Sequence, residues 1–320
     1  MGQKKSSFGF IVDPLESFDV YRETTLFLMA EAQRRGHRLF ALTLPQLFLK
    51  GSSAQGEALE IKILGIGKKP FFKVLAKKRM ALESLDVLFL RKDPPVDLLF
   101  VHHLYLLLPL KGKVFMVNDP EAILKSNEKT LALQFPQWAP RSCITASWDE
   151  MSRFAGAEKK GIVLKPMGSS GGRGIFYFKS SGDSNLRVAF EILSKNGKRL
   201  VVGQEFLPAV RKGDKRVMLL NGEILGYFNR LPKPGDHRAN LHSGGRLAPC
   251  RLSSEEKKIA QEVGRVLRKE GLYFVGLDLI GERLTEINLT SPMGLNEINK
   301  TQGGRSEERV IDFVEWKMNR

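Results

Sequence analysis

Residues 274–290 read FVGLDLIGERLTEINLT, two apolar runs separated by a short polar turn. A three-residue loop at 281–283 predicts a β-hairpin in which Asp278 lies opposite Glu286. Side chains alternate between the two faces of a strand, so one face is apolar and the other carries Asp278, Glu286 and Asn288. Carboxylate and amide oxygens suit Mg²⁺, which takes few protein ligands and completes its shell with water and phosphate. The hairpin therefore predicts a hard-cation site; the alternative is a sheet with one solvated polar face.

A glycine-rich segment upstream predicts a loop that surrounds phosphate. Residues 167–174 read MGSSGGRG, between apolar runs that predict strands at 161–165 and 174–179. The glycines and serines leave many backbone N–H groups free for phosphate oxygens. The segment is not a P-loop, because no GK[ST] follows and a strand rather than a helix comes next. A plain surface hairpin is the alternative. The residues expected to contact a nucleotide are Gly168, Ser169, Ser170, Gly171 and Gly172.

Two lysines and a linker complete the predicted nucleotide site. Lys165 ends the strand that enters the glycine-rich loop, and Lys129 lies in the NEK sequence at 127–129. Lysine ammonium groups act as point charges on phosphates. An apolar strand at 199–203 leads into a segment whose free backbone groups could pair with adenine. Its residues are Gln204, Glu205, Phe206 and Leu207.

Composition limits the classes of protein to which the chain can belong. Its 320 residues are 42% hydrophobic, which is enough for a substantial core. No apolar run approaches the roughly 18 residues of a membrane span, so we expect no membrane partner. Two cysteines without metal-ligand spacing indicate a reducing cytoplasm. The net charge of +16 suits anionic ligands, but no arginine-rich tail or RNA-binding aromatic signature accompanies it, so we expect no nucleic acid partner.

The order of predicted elements indicates an α/β fold in three parts. Strand and helix patterns alternate over residues 1–126, which predicts an open, mostly parallel α/β domain. Within it, the glycine- and lysine-rich residues 51–69 are expected to form a connecting excursion. A second unit at 127–203 carries the glycine-rich loop, and a third at 204–320 carries the cation-binding hairpin.

Ordered motifs along most of the chain carry a resemblance to a known family. They are IVDP at 11–14, EAQRRG at 31–36, LRKDPP at 90–95, NEK at 127–129, LKP at 164–166, GDKRV at 213–217, RANLHSGGR at 238–246 and FVGLDLIGERLTEINLTSP at 274–292. With these motifs the chain resembles the ATP-grasp superfamily. Within that superfamily it is similar to the prokaryotic glutathione synthetases over nearly its full length.

This resemblance implies the ATP-grasp fold and an ATP-dependent carboxylate–amine ligase. Members of the family join γ-glutamylcysteine to glycine through an acyl phosphate, form glutathione, and release ADP and phosphate. The resemblance implies ATP and two magnesium ions as cofactors, with manganese as a substitute for magnesium. It also implies assembly into a homotetramer.

The resemblance further implies roles for individual residues. Asp278, Glu286 and Asn288 would hold the metal ions. Beside the lysines, the glycine-rich loop and the linker, ATP would contact Asp214 and Asn240. The residues that would neutralise the transferring phosphoryl group are Arg216, Arg238 and Arg246. The residues expected to contact the substrates are Arg91, Asp93, Gly244, Gly245, Ser291 and Pro292.

The sequence departs from the family pattern directly after the hairpin. Residues 293–298 read MGLNEI, where the family pattern has a threonine–cysteine pair and a basic residue in place of Asn296. A second ligase reading therefore stays open, in which another peptide or protein is the acceptor, such as a ribosomal protein that receives glutamate. A third reading is a basic nucleic-acid-binding protein that has lost catalysis.

Overall fold

Three β-sheets organise the part of the chain that the computed structural model describes, residues 5–168, 171–236 and 238–319. The first sheet has the strands β1 to β7: Ser7–Val12, Arg38–Leu42, Leu47–Lys50, Ser53–Ile63, Phe72–Ala81, Val87–Arg91 and Phe115–Val117. The second has β8 to β11: Ser142–Thr145, Ile162–Pro166, Phe176–Phe178 and Val201–Glu205. The third has β12 to β16: Asp214–Leu220, Glu223–Leu231, Arg246–Ala248, Phe274–Ile280 and Arg283–Asn288.

Helices cover these sheets. In chain order α1 to α8 are Thr24–Arg34, Leu98–Leu107, Pro120–Leu124, Trp148–Ala157, Ser184–Ser194, Ser254–Lys269, Leu295–Gln302 and Ser306–Met318. Helix α8 is bound to α1 through Arg35, which lies 2.6 Å from Asp312 and 2.8 Å from Glu315. No helix in the described ranges is long and apolar enough to cross a membrane. The division of the chain into units at residues 126 and 203 stays a prediction.

The first sheet is mixed. Strands β2, β1, β6 and β7 lie side by side and parallel, as the alternating pattern predicts. Strand β4 pairs antiparallel with β2, β3 and β5, so residues 51–69 are not the connecting excursion that we expected. The buried face of β4 carries the small residues Ala54, Gly56 and Ala58. A Cβ at Gly56 would lie 2.4 Å from the Leu42 side chain, so close packing gives this strand the composition of a linker.

The second sheet has the order β10-β9-β11-β8 and its own small core. Helices α4 and α5 pack on it through buried residues that include Met151, Leu164 and Phe190. Strands β9 and β10 pair antiparallel, and the glycine-rich segment 167–174 connects them, as the sequence predicts. This arrangement holds the glycine-rich segment at the open end of a packed sheet.

The third sheet has the order β14-β13-β12-β15-β16 and is antiparallel throughout. Its β12–β13 turn is Asn221-Gly222, the pair most typical of a two-residue hairpin, with φ angles of 52° and 83°. Helix α6 covers the apolar face of the sheet. It begins with the predicted capping box of Ser253 and Glu256.

The β15–β16 hairpin has the predicted register near its polar residues, with Asp278 opposite Glu286 and Asn288 opposite Gly276. The loop is one residue shorter than predicted, because Ile280 already pairs with Arg283. A bulge after Asp278 restores the register, and the Thr285 hydroxyl donates to the Asp278 carbonyl at 3.0 Å. The three oxygen-bearing side chains therefore share one face of the sheet despite the error in loop length.

Gly264 fixes how closely α6 approaches the β12–β13 turn. A Cβ at this position would lie 2.2 Å from the Gly222 carbonyl oxygen. We expect Gly264→Ala to lower the free energy of unfolding by about 1–3 kcal/mol, because overpacking against backbone outweighs the better helix propensity of alanine. Denaturant unfolding measures this change.

Gly156→Ala is the matched control, because no atom lies within 4 Å of a Cβ at that position in α4. There we expect stabilisation of about 0.5–1 kcal/mol. A Gly264→Ala protein as stable as the Gly156→Ala protein would contradict this packing.

Candidate active site

Four alternating charges cross the polar face of the third sheet. Arg216 on β12 donates to both carboxylate oxygens of Asp278 on β15, at 2.6 and 3.2 Å. Arg230 on β13 lies 2.9 Å from Asp278 and 2.7 Å from Asp214. All four side chains are buried. The network fixes the polar faces of three neighbouring strands relative to one another.

The two carboxylates of this network differ in pKa. Burial opposes ionisation of both groups. The guanidinium groups of Arg216 and Arg230 outweigh burial at Asp278 and hold its pKa at about 2. At Asp214, burial and repulsion from Asp278 prevail over Arg230 and raise the pKa to about 6. Asp278 is therefore ionised at neutral pH.

Two lysines lie beside the hairpin. Lys129 Nζ is 3.1 Å from Glu286 Oε1, and Lys165 Nζ donates to Gln204 Oε1 at 2.7 Å. Burial lowers the pKa of Lys165, while the nearby Glu286 opposes that shift. Both ammonium groups lie at a position where phosphate oxygens could replace or add to their present partners.

An inner cleft lies between the second and third sheets. Apolar side chains such as Val163, Ile175 and Leu207 form one part of its wall, and Asp278 and Glu286 lie at the other. It brings together many of the residues predicted to contact ATP. These are Lys129, Lys165, Gly171, Gly172, Gln204, Glu205, Phe206, Leu207, Asp214 and Asn240.

An outer cleft continues from the inner one toward the first sheet. It is lined by predicted substrate contacts, Asp93 and Ser291, and by predicted phosphate ligands, Arg216 and Arg238. Both clefts are lined by Asp278, Glu286, Arg238, Asn240 and Gly171. The hairpin carboxylates therefore lie at the junction of the two clefts.

Two loops meet over this junction. Ser243 Oγ donates to the Gly171 carbonyl at 3.0 Å. A Cβ at Gly172 would lie 2.7 Å from Ser243 Oγ and 2.8 Å from Asn240 Oδ1, so only glycine allows this approach. Gly171 and Gly172 of the glycine-rich segment are thus in direct contact with the loop 238–246.

Several predicted site residues lie outside both clefts. Arg91 is buried, and it donates to Thr25 Oγ1 at 3.1 Å and to the Pro292 carbonyl at 3.0 Å. Arg246 is exposed at the start of β14. Three predicted glycines also line neither cleft: Gly168, Gly244 and Gly245. The predicted contacts Ser169 and Ser170 lie outside the described residues.

Charged residues that line the outer cleft but were not predicted as site residues include Arg22, Glu128 and Arg230. The two-residue turn at Asn221-Gly222 alone would place Asn229 opposite Asp214, and a bulge between Met218 and Leu219 shifts the partner to Arg230. Glu128 is the middle residue of the NEK motif, in which only Lys129 had a predicted role.

The donor set of the hairpin fits a divalent cation. Asp278 and Glu286 face each other, and Asn288 Nδ2 donates to the Gly276 carbonyl at 3.2 Å, which leaves its Oδ1 available. In the described ranges no three His, Cys, Asp or Glu side chains cluster as a metal site. Asn288 is therefore needed as the third protein ligand, and a cation with few protein ligands is favoured.

Arg230 supports a prediction about stability. Arg230→Met leaves Asp214 and Asp278 with one guanidinium fewer, so we expect the free energy of unfolding at pH 7 to fall by about 3–5 kcal/mol. The loss should be smaller at pH 5, because Asp214, with its pKa of about 6, is then protonated. Denaturant unfolding at both pH values measures it.

Arg246→Met is the matched control, because Arg246 is exposed. We expect it to change stability by no more than about 0.5 kcal/mol. An Arg230→Met protein with the stability of the control would show that the buried network does not stabilise the fold.

Comparisons with known proteins agree with this architecture. The sequence model of the prokaryotic glutathione synthetase N-terminal domain matches residues 7–123, and that of the ATP-grasp domain of the same family matches residues 128–303. Glutathione synthetase of Agrobacterium fabrum is 35% identical over 306 residues, covering 96% of this chain and 95% of its own. Glutathione synthetase of Nitrosomonas europaea is 37% identical over 315 residues, covering 97% and 98%.

Solved structures support the fold alone. The D-cycloserine synthetase DcsG superposes with a TM-score of 0.68 at 11% identity, covering 97% of this chain and 99% of its own. D-alanyl-alanine synthetase A from Vibrio cholerae has a TM-score of 0.61 at 14% identity, covering 99% of each chain. With the two family matches and the full-length similarity to curated relatives, this chain belongs to the prokaryotic glutathione synthetase family and has the ATP-grasp fold.

Proposed function

We propose that this chain joins γ-glutamylcysteine to glycine with the energy of ATP and forms glutathione through an acyl phosphate. Family membership supports an ATP-dependent ligase that forms glutathione. The observation that carries the proposal is the junction of two clefts at Asp278 and Glu286. A nucleotide in the inner cleft and a dipeptide in the outer cleft would meet there.

ATP fits the inner cleft by its chemistry. The apolar wall of Val163, Ile175 and Leu207 suits the adenine ring, beside the backbone of the 204–207 linker. Lys129 and Lys165 would bind the phosphates, whose negative charge would add to the present contacts of Lys129 with Glu286 and of Lys165 with Gln204.

Divalent metal dependence follows from the family, and we propose two magnesium ions, with manganese as a substitute. Asp278, Glu286 and Asn288 would hold them. A bound divalent cation supplies neutralisation of phosphate charge during phosphoryl transfer.

The arginines at the junction suit the first chemical step, in which the cysteine carboxylate of the dipeptide attacks the γ-phosphate and ADP leaves. Arg216, Arg230 and Arg238 line the outer cleft, and both Arg216 and Arg230 contact Asp278. Planar guanidinium groups bind phosphoryl oxygens in pairs and neutralise charge that is spread over them.

In the second step the glycine amine attacks the acyl carbon. A C–N bond forms, the C–O bond to the phosphoryl group breaks, phosphate leaves with the electron pair, and the nitrogen loses a proton to the departing phosphate. Exclusion of water prevents hydrolysis of the acyl phosphate. The contact between Ser243 and Gly171 supports such exclusion.

The position of Arg91 changes its proposed role. We propose that it supports the 291–292 segment from behind rather than binding the dipeptide, because its guanidinium donates to the Pro292 carbonyl. Direct substrate contacts in the outer cleft would come from Asp93 and Ser291, which the sequence predicts, and from Arg22.

A ligase with a protein acceptor is not favoured, because the family matches and curated relatives are glutathione synthetases over nearly the full length. At the departure from the family pattern, Asn296 Nδ2 donates to the Tyr21 carbonyl at 2.7 Å. The homotetramer, the cytoplasmic location and the lack of nucleic acid and membrane partners stay predictions.

Product formation tests the proposed function. Phosphate release should require ATP and γ-glutamylcysteine, and glycine should convert a slow or absent turnover into sustained synthesis of glutathione, identified by mass. A panel of other dipeptides and amines serves as the control for substrate preference. No dipeptide-dependent release of phosphate, with the folded protein, would contradict the proposal.

Glu286 tests the metal site. Glu286→Gln keeps the size of the side chain but removes a charged ligand, so we expect kcat to fall by about a thousandfold or more. Turnover measured over a range of magnesium concentrations checks this expectation.

Glu282→Gln, at the exposed turn of the same hairpin, should leave kcat and the magnesium dependence unchanged. If Glu286→Gln also retained near-normal turnover, the hairpin would not be the metal site.

A further inference from the structure

Glu128 is a carboxylate at the substrate cleft that the function described above does not use. One oxygen, Oε1, accepts from the backbone N–H groups of Leu289 at 2.7 Å and Thr290 at 3.2 Å, and from Thr290 Oγ1 at 3.3 Å. Its carbonyl accepts from the Ile287 N–H at 3.1 Å. The side chain is thus fixed against the end of β16, directly after the predicted metal ligands.

The second oxygen of Glu128 has no such role. Throughout the described ranges no hydrogen bond reaches Oε2, and no cation forms a salt bridge with this carboxylate. The neighbouring Lys129 pairs with Glu286 instead. Glu128 is only partly covered and lines the outer cleft beside Asn288 and Ser291.

The surroundings favour a positively charged ligand at this oxygen. A carboxylate in a partly buried place is stable when a cation or several donors satisfy it. Burial and the negative charge of Glu286 both raise the pKa of Glu128. A cationic ligand at Oε2 would oppose that shift and stabilise the ionised carboxylate.

Three kinds of cation take part in the proposed reaction: the metal ions, the ammonium group of the γ-glutamyl end, and the ammonium group of glycine. The glycine nitrogen must reach the acyl carbon at the cleft junction, and Glu128 lines the outer cleft together with Asn288 and with Glu286, which also lines the inner cleft. The γ-glutamyl ammonium is several bonds away from that carbon. Two other carboxylates, Asp93 and Glu297, line the outer cleft with Arg22 and suit the γ-glutamyl ammonium group.

We propose that Glu128 Oε2 binds the ammonium group of the incoming amino acid and positions its nitrogen beside the acyl phosphate. This inference rests on the proposed function and adds the recognition of the acceptor. Glu128 binds and orients the ammonium group, which loses one proton to water before its nitrogen attacks, and the later bond changes are those described above. An acceptor with a primary ammonium group fits this position, whereas a neutral nucleophile does not depend on it.

Glu128→Gln tests the proposal, because glutamine keeps an Oε1 acceptor for the three donors and removes the charge. We expect KM for glycine to rise roughly tenfold to a hundredfold, the effect of losing one charge-assisted hydrogen bond. Hydroxylamine, a largely neutral nucleophile at neutral pH, traps the acyl phosphate as a hydroxamate without glycine. The rate of hydroxamate formation and KM for the dipeptide should match those of the unmodified enzyme.

Two further variants separate charge from structure. Asp93→Asn removes a charge from the same cleft, and it should raise KM for the dipeptide but not for glycine. Glu128→Asp retains the charge on a shorter side chain, so its KM for glycine should rise less than that of Glu128→Gln. Thermal unfolding checks that each variant is folded. If Glu128→Gln is not folded, Glu128→Asp must still raise KM for glycine and leave KM for the dipeptide unchanged.

The outcomes are distinguishable. An unchanged KM for glycine, or an equal loss of hydroxamate and glutathione formation, would overturn the proposal in favour of no role or a structural one. A raised magnesium requirement for hydroxamate formation would overturn it in favour of a metal ligand. Failure of the unmodified enzyme to form any hydroxamate would instead count against the proposed function.

Discussion

The buried carboxylate of Asp278, held between Arg216 and Arg230, is the interaction on which the rest of the site depends. Each charge is removed from water, so each needs its partner at short distance. The partners lie on three different strands, which can satisfy them only in one register. That register places Glu286 opposite Asp278 and directs the arginines toward the cleft junction.

This constraint is the physical reason for the proposal that the chemistry takes place where the two clefts meet. Phosphoryl transfer requires positioning and charge neutralisation more than covalent help from the protein. The third sheet supplies both, because its polar face carries carboxylates for cations and guanidinium groups for phosphoryl oxygens. The second sheet contributes Lys165 and the glycine-rich segment, and the first contributes Asp93 to the substrate side. Each sheet supplies a different part of one site.

Local patterns in the sequence predicted most of what local physics determines. Strict alternation fixed which face of the hairpin carries Asp278 and Glu286, but the bulge beside Thr285 leaves no signal of its own. Residues 51–69 were misjudged because their small side chains reflect close packing, which composition alone does not reveal. The burial of Arg91 behind Pro292 depends on a contact between residues 201 positions apart, and no local pattern encodes it. Family motifs supplied the reaction, whereas the geometry added Arg230 and Glu128.

In the proposed reaction, ATP phosphorylates the dipeptide carboxylate at the junction of the two clefts. The most direct test of this step uses γ-glutamylcysteine with a heavy-oxygen label in the cysteine carboxylate. An acyl phosphate requires one labelled oxygen to appear in the released phosphate, as measured by mass spectrometry, with one labelled oxygen retained in the peptide bond of glutathione. Unlabelled phosphate together with labelled glutathione would contradict the account.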